Sequence, residues 1–116
     1  MILWLDDIRS PTGYGFDYCG DLRWHKTFTE FKDYVSSAFN VLIEEIHLDH
    51  DLGDMEEDKT GYDALLLIEE MLYGGYLKSL KTIYVHTSNP SAATKMMSVK
   101  DIFRGKFGVE MVRNHY

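Results

Sequence analysis

Apolar positions along the chain follow two rhythms. Met1–Leu5, Val41–Leu48 and Lys81–Val85 are short apolar runs of the kind that form strands buried on both faces of a parallel sheet, the middle one in its second half. Phe28, Phe31, Tyr34, Val35, Ala38 and Phe39 recur at helical spacing, and so do Leu65, Ile68, Met71 and Leu72. Each helical stripe starts at a capping-box spacing, Thr27 with Glu30 and Thr60 with Asp63, and Gly74 or Gly75 stops the second. Asn89 as N-cap and Pro90 at the first helical position open a third helix through about Phe103. Gly108 then precedes a last strand, "VEMVR", and a short strand is weakly marked at Arg23–Lys26. The Gly- and Pro-bearing stretch "IRSPTGYGFDYCGD" has no helical period and reads as a loop or a short broken helix.

The order is strand, loop, strand, helix, strand, helix, strand, helix, strand. Such alternation predicts a single α/β domain over residues 1–116, an open parallel sheet with helices on both faces. Sheets of this kind bind ligands outside the carboxyl ends of their strands, where the strand order reverses. The polar clusters fall at those ends: Asp6 and Asp7 after the first strand, Asp49 and His50 after the third, and His86, Thr87, Ser88 and Asn89 after the fourth.

Composition narrows the function classes. At 45% hydrophobic and 27% charged the chain has the material for a packed core, so disorder is not expected. A formal charge of -7 disfavours nonspecific nucleic-acid binding and anionic membrane surfaces. The single Cys19 has no intrachain partner and no leader pattern or membrane-length apolar segment is present, so a soluble, cytoplasmic protein is expected. Cys19 lies in the irregular stretch without a histidine at hand and is not expected to be a nucleophile.

Carboxylates crowded at neighbouring strand ends repel unless a cation joins them. Asp6 or Asp7 alone would be read as a turn cap, but with Asp49 added the set points to a hard divalent ion, Mg²⁺ or Mn²⁺, completed by water and phosphate oxygens. His50 and His86, beside that acidic cluster, are the candidates for proton transfer near neutral pH. His25, His47 and His115 lack such company and are read as structural, with His47 pointing to the opposite side of its strand from Leu48. Thr87, Ser88 and Asn89 precede a helix start and suit phosphate oxygens, Asn89 also as the cap, and Arg9 could add a guanidinium fork or pair with a surface acid. The run "GDMEEDK" is a solvated loop long enough to act as a lid.

These motifs resemble the receiver domains of two-component response regulators over nearly the whole chain. The matching residues are the acid pair Asp6 and Asp7, the acceptor-like Asp49, and the hydroxyls Thr87 and Ser88. The resemblance implies a flavodoxin-like three-layer sandwich with a five-stranded parallel sheet of order 2-1-3-4-5, here with its first helix reduced and its final helix missing. In that family the three acids bind Mg²⁺ and the central Asp accepts a phosphoryl group. The lysine expected at the end of the fifth strand is absent, its place reading Val112, Arg113 and Asn114, and His50 and His86 are not receiver features. The strings "LDDIRSP", "LDHDLG" and "VHTSNP" together look like a receiver offshoot, the cyclic-phosphate processing receiver domain. That resemblance implies a pocket of Asp6, Asp7, Arg9, Asp49, His50, His86, Ser88 and Asn89.

The leading expectation is a metal-dependent phosphoesterase acting on a cyclic phosphate, a cyclic nucleotide or a cyclic-phosphate end. Asp6, Asp7 and Asp49 would hold the metal, His50 and His86 would share base and acid duties, and Arg9, Thr87, Ser88 and Asn89 would hold phosphate oxygens. A stand-alone receiver phosphorylated on Asp49 and signalling through a partner is the alternative. A non-catalytic module binding a cyclic nucleotide or a protein is the third. A two-histidine phosphoesterase is set aside, because His86 with Ser88 supplies one His-x-Ser pair and "HDL" supplies no second. A missing final helix would leave an apolar sheet flank for a homodimer.

Overall fold

The computed structural model describes residues 2–6, 22–37, 42–49, 60–87 and 90–114. The elements in chain order are β1 (Ile2–Leu5), β2 (Leu22–His25), α1 (Phe28–Ser37), β3 (Glu45–Asp49), α2 (Gly61–Tyr73), β4 (Thr82–His86), α3 (Pro90–Met97), α4 (Lys100–Phe107) and β5 (Glu110–Asn114). All strand pairs are parallel and the sheet order is β2-β1-β3-β4-β5, a receiver-like α/β fold. The irregular stretch expected after the first strand and the "GDMEEDK" loop lie outside the described residues.

Strand alternation divides the sheet into two chemically different faces. Leu3, Leu5, Ile46, Leu48, Ile83, Val85 and Met111 share one face, where they cluster with Phe31 and Val35 of α1, Ala64, Leu65 and Ile68 of α2, Met96 of α3 and Phe103 of α4. All four described helices therefore bury their apolar sides against this face. The intervening positions carry Trp4 of β1, Glu45, His47 and Asp49 of β3, and Tyr84 and His86 of β4. A row of rings and polar groups thus occupies the other side of the three central strands.

Helix ends follow the expected chemistry. At α2 the Asp63 carboxylate accepts the Thr60 backbone N–H at 2.8 Å and the Thr60 hydroxyl accepts the Tyr62 N–H at 3.2 Å, the reciprocal cap that the spacing predicted. At α1, Thr27 Oγ1 accepts the Glu30 N–H at 3.1 Å. The α2 C-terminus closes with Tyr76 N–H donating to the Met71 carbonyl and Gly75 N–H to the Leu72 carbonyl, Gly75 taking φ 83°. Of the two glycines flagged at this stop, Gly75 is the one that needs the left-handed conformation.

One expectation is corrected. The single helix from Pro90 through about Phe103 is two helices, broken at Ser98 and Val99. Ser98 Oγ donates to the Lys95 carbonyl at 2.6 Å, and Val99 sits at φ -97°, ψ 7°. A hydroxyl that takes a helix carbonyl for itself competes with the backbone ladder, and a β-branched residue follows it directly. Hydrophobic period alone could not separate the two helices, because Met96 and Phe103 are two turns apart in phase and both are fully buried.

Candidate functional site at the carboxyl ends of the central strands

The sheet order reverses between β1 and β3, since β1 leads to β2 on one side while β3 enters on the other. Leu5 is in register with Leu48, so the next residues, Asp6 and Asp49, stand side by side at this switch point. Asp49 is in turn paired with His86 of β4. Asp6, Asp49, His86 and Thr87 are all buried, at 1%, 8%, 1% and 1% exposure. Four of the residues singled out in the sequence are thereby gathered at three adjacent strand ends. Asp7, Arg9, His50, Ser88 and Asn89 lie outside the described residues.

His47, read from the sequence as structural, is the residue that joins this group from below. It points away from Leu48, as expected, and its Nδ1 meets His86 Nε2 at 2.6 Å. Its ring lies flat between two aromatic neighbours given by the strand register, Trp4 on β1 and Tyr84 on β4. The centroids are 4.7 and 4.5 Å away and the interplanar angles 20° and 15°. Trp4 also sets its edge against His86, at 4.6 Å and 71°. His47 Nε2 faces the Glu45 carboxylate at 3.5 Å. Burial pushes the His47 pKa down to about 4, so the ring is neutral at physiological pH. The signal available beforehand was parity: His47 and Asp49 are two residues apart on one strand and must share a face.

Other groups bear on the edges of the site. Trp24 Nε1 of β2 donates to the Asp6 carbonyl at 2.7 Å, and Lys26 lays its ammonium 4.6 Å from the Trp24 ring centre. Arg113, the charge that stands nearest to the lysine place of a receiver, pairs in register with Val85 and so belongs to the helix-covered side. Asn114 is the β5 residue level with His86. His25 packs its ring against Phe31 and Tyr34 of α1, as a structural histidine would. Burial first, then the Arg23 charge, lowers its pKa, with Glu30 opposing.

Among the described residues no group of three or more His, Cys, Asp or Glu side chains is arranged to hold a metal ion. Asp6 and Asp49 supply two oxygen donors at adjacent strand ends, and Asp7, the third acid of the expected set, lies outside the described residues. A donor set of buried carboxylates suits a hard divalent cation and no soft one. The groove lined by Ser36, Leu67, Glu70, Met71, Gly74 and Tyr76 is at the far end of α2 from Thr60 and has no part in this cluster.

A parallel sheet of order 2-1-3-4-5 with buried acids at its switch point defines the receiver-like class of α/β domains. Within that class the chain belongs to the cyclic-phosphate processing receiver domain family, whose profile matches residues 1–101. Among curated proteins and solved structures nothing matches it. No helix among the described residues is long and apolar enough to cross a membrane.

Proposed function

We propose that this domain is a phosphoesterase that hydrolyses a cyclic phosphate, a cyclic nucleotide or a cyclic-phosphate end, with the help of Mg²⁺ or Mn²⁺. The observation that carries the reading is the pairing of Asp49 with His86 beside Asp6, a proton-transfer group next to two buried acids. An ordinary receiver has no need of an imidazole there. The family description, cyclic-phosphate processing, supports the substrate class.

In this reading Asp6, Asp7 and Asp49 would hold the cation, which when bound would supply neutralisation of phosphate charge and polarisation of the phosphoryl group. Thr87 and Ser88 hydroxyls and the Asn89 amide, just before α3, bind non-bridging phosphate oxygens, with Arg9 as a guanidinium fork. A water oxygen forms the new bond to phosphorus as one ring ester bond breaks. One histidine of the pair His50 and His86 takes the water proton, and the other protonates the departing oxygen. His86 meets a ligand through Nδ1, the ring nitrogen not turned to His47.

The test is a panel of cyclic mononucleotides and 2′,3′-cyclic phosphates, assayed with and without chelator. Turnover that chelator abolishes, and that falls about 100-fold or more in His86→Gln and Asp49→Asn, is expected. Turnover indifferent to chelator would remove the metal from the proposal. Binding without turnover would leave a sequestering module in its place.

Asp49 at the end of the central strand also favours a second reading, a receiver phosphorylated on Asp49 that works through a partner. Incubation with a small acyl-phosphate donor and Mg²⁺ followed by intact mass separates the two. A phosphoryl adduct lost in Asp49→Asn would select the receiver.

A further inference from the structure

The His47–His86 contact has a direction. Two nitrogens 2.6 Å apart need one proton between them, and either ring could supply it. Glu45 decides the matter. Its carboxylate lies 3.5 Å from His47 Nε2, and a nitrogen lone pair turned towards an anion would be repelled, so the His47 proton belongs on Nε2. A neutral His47 protonated on Nε2 has a lone pair on Nδ1. The proton in the contact then comes from His86 Nε2, and the lone pair of His86 is left on Nδ1.

A doubly protonated His47 would reverse this direction. It would have to hold its charge at 2% exposure between two rings, with a Glu45 side chain that is itself 35% exposed as its anion. A half-solvated carboxylate at that distance is a weak counterion for a group so fully removed from water. The ring orientation is fixed as well, because a half-turn about Cβ–Cγ would set Cδ2 where Nδ1 stands and lose the 2.6 Å contact with His86.

We propose that His47 is a positioning residue that accepts a hydrogen bond from His86 Nε2 and so holds His86 in the tautomer whose Nδ1 is a base. Glu45 orients His47, and the Trp4 and Tyr84 rings keep it flat. The functional consequence rests on the hydrolytic reading above and sharpens it, since His86 rather than His50 then takes the proton of the attacking water. As that proton arrives on His86 Nδ1, the Nε2–H bond to His47 stays in place and shortens as the imidazolium forms. His50, as the other member of the pair, protonates the departing ester oxygen, the proton on His86 leaves to solvent, and His47 gains and loses nothing.

Long-range ¹H–¹⁵N correlation of the imidazole rings at neutral pH tests this without any substrate. In the wild-type protein His86 should be protonated on Nε2 and His47 on Nε2. In His47→Phe, which keeps a flat ring in the slot but removes the acceptor, the Nδ1–H form of His86 should become populated. His47→Asn, whose side-chain oxygen can stand where Nδ1 stood, should restore the Nε2–H form. A wild-type spectrum with His86 protonated on Nδ1, or a His86 tautomer unmoved by His47→Phe, overturns the proposal. Should His47→Phe not fold, the wild-type spectrum decides alone. If a cyclic phosphate is turned over, kcat should fall about 10-fold in His47→Phe with KM little changed, and recover in part in His47→Asn. Absence of turnover on every cyclic phosphate would sink the hydrolytic reading and leave the tautomer result standing.

Discussion

His47 and His25 are buried imidazoles whose pKa values lie below the ordinary value, that of His47 at about 4. In the unfolded chain both titrate near 6.5. Between pH 6.5 and about 4 the unfolded state therefore binds more protons than the folded one, so stability falls as pH falls through that window. For His47 the full effect is on the order of 3 kcal/mol, complete below the folded pKa. Urea unfolding from pH 7 down to pH 4 should show this loss, and His47→Phe should flatten the slope while leaving the smaller share of His25. A midpoint independent of pH in the wild type would show that His47 titrates in the folded protein as it does in the unfolded chain. What the sequence disclosed about these residues was their parity and little more. That His25 would meet α1 while His47 would meet His86 depends on which face of the sheet each joins and on what covers it.

Helix α4 and its C-cap each hold a glycine, and the two should respond in opposite directions to the same change. Gly105 is in the helix interior, exposed, and an added methyl would meet nothing within 4 Å. Gly108 ends the helix at φ 67°, and an added methyl there also meets nothing. Gly105→Ala should stabilise by about 0.5–1 kcal/mol through the lower chain entropy of the unfolded state, whereas Gly108→Ala should destabilise by about 1 kcal/mol because alanine resists the left-handed region. Thermal denaturation of the two variants side by side checks the signs. Capping at Thr60 was legible because the reciprocal bonds link residues three apart. The break between α3 and α4 was not, since it turns on a single hydroxyl choosing the Lys95 carbonyl within an unbroken apolar period.

Across the whole molecule the fold brings Asp6 and Asp49, 43 residues apart in the chain, to adjacent strand ends. In the proposed metal site, carboxylates so placed repel by an amount on the order of 1 kcal/mol when no cation joins them. Asp49→Asn should thus raise the melting temperature of the metal-free protein by a few degrees. Added Mg²⁺ should raise that of the wild type and leave the variant nearly unmoved, because a ligand stabilises only the state that binds it. Calorimetry in chelator and in Mg²⁺ reads both effects independently of any enzymatic activity.

Sequence by itself determined what is periodic or short-ranged: the strand runs, the amphipathic stripes of α1 and α2, their caps, and the presence of acids and imidazoles where strands end. The motif strings "LDDIRSP", "LDHDLG" and "VHTSNP" also carried the family resemblance that the match over residues 1–101 bears out. Tertiary structure decided who meets whom. The β1–β3 and β3–β4 registers set Asp49 against His86 and slide His47 between Trp4 and Tyr84, and a shift of β3 by one residue would have turned His47 and Asp49 to the helix-covered face, away from all three. Register is fixed by hydrogen bonds and packing between segments tens of residues apart, and those energies belong to pairs that no local pattern records.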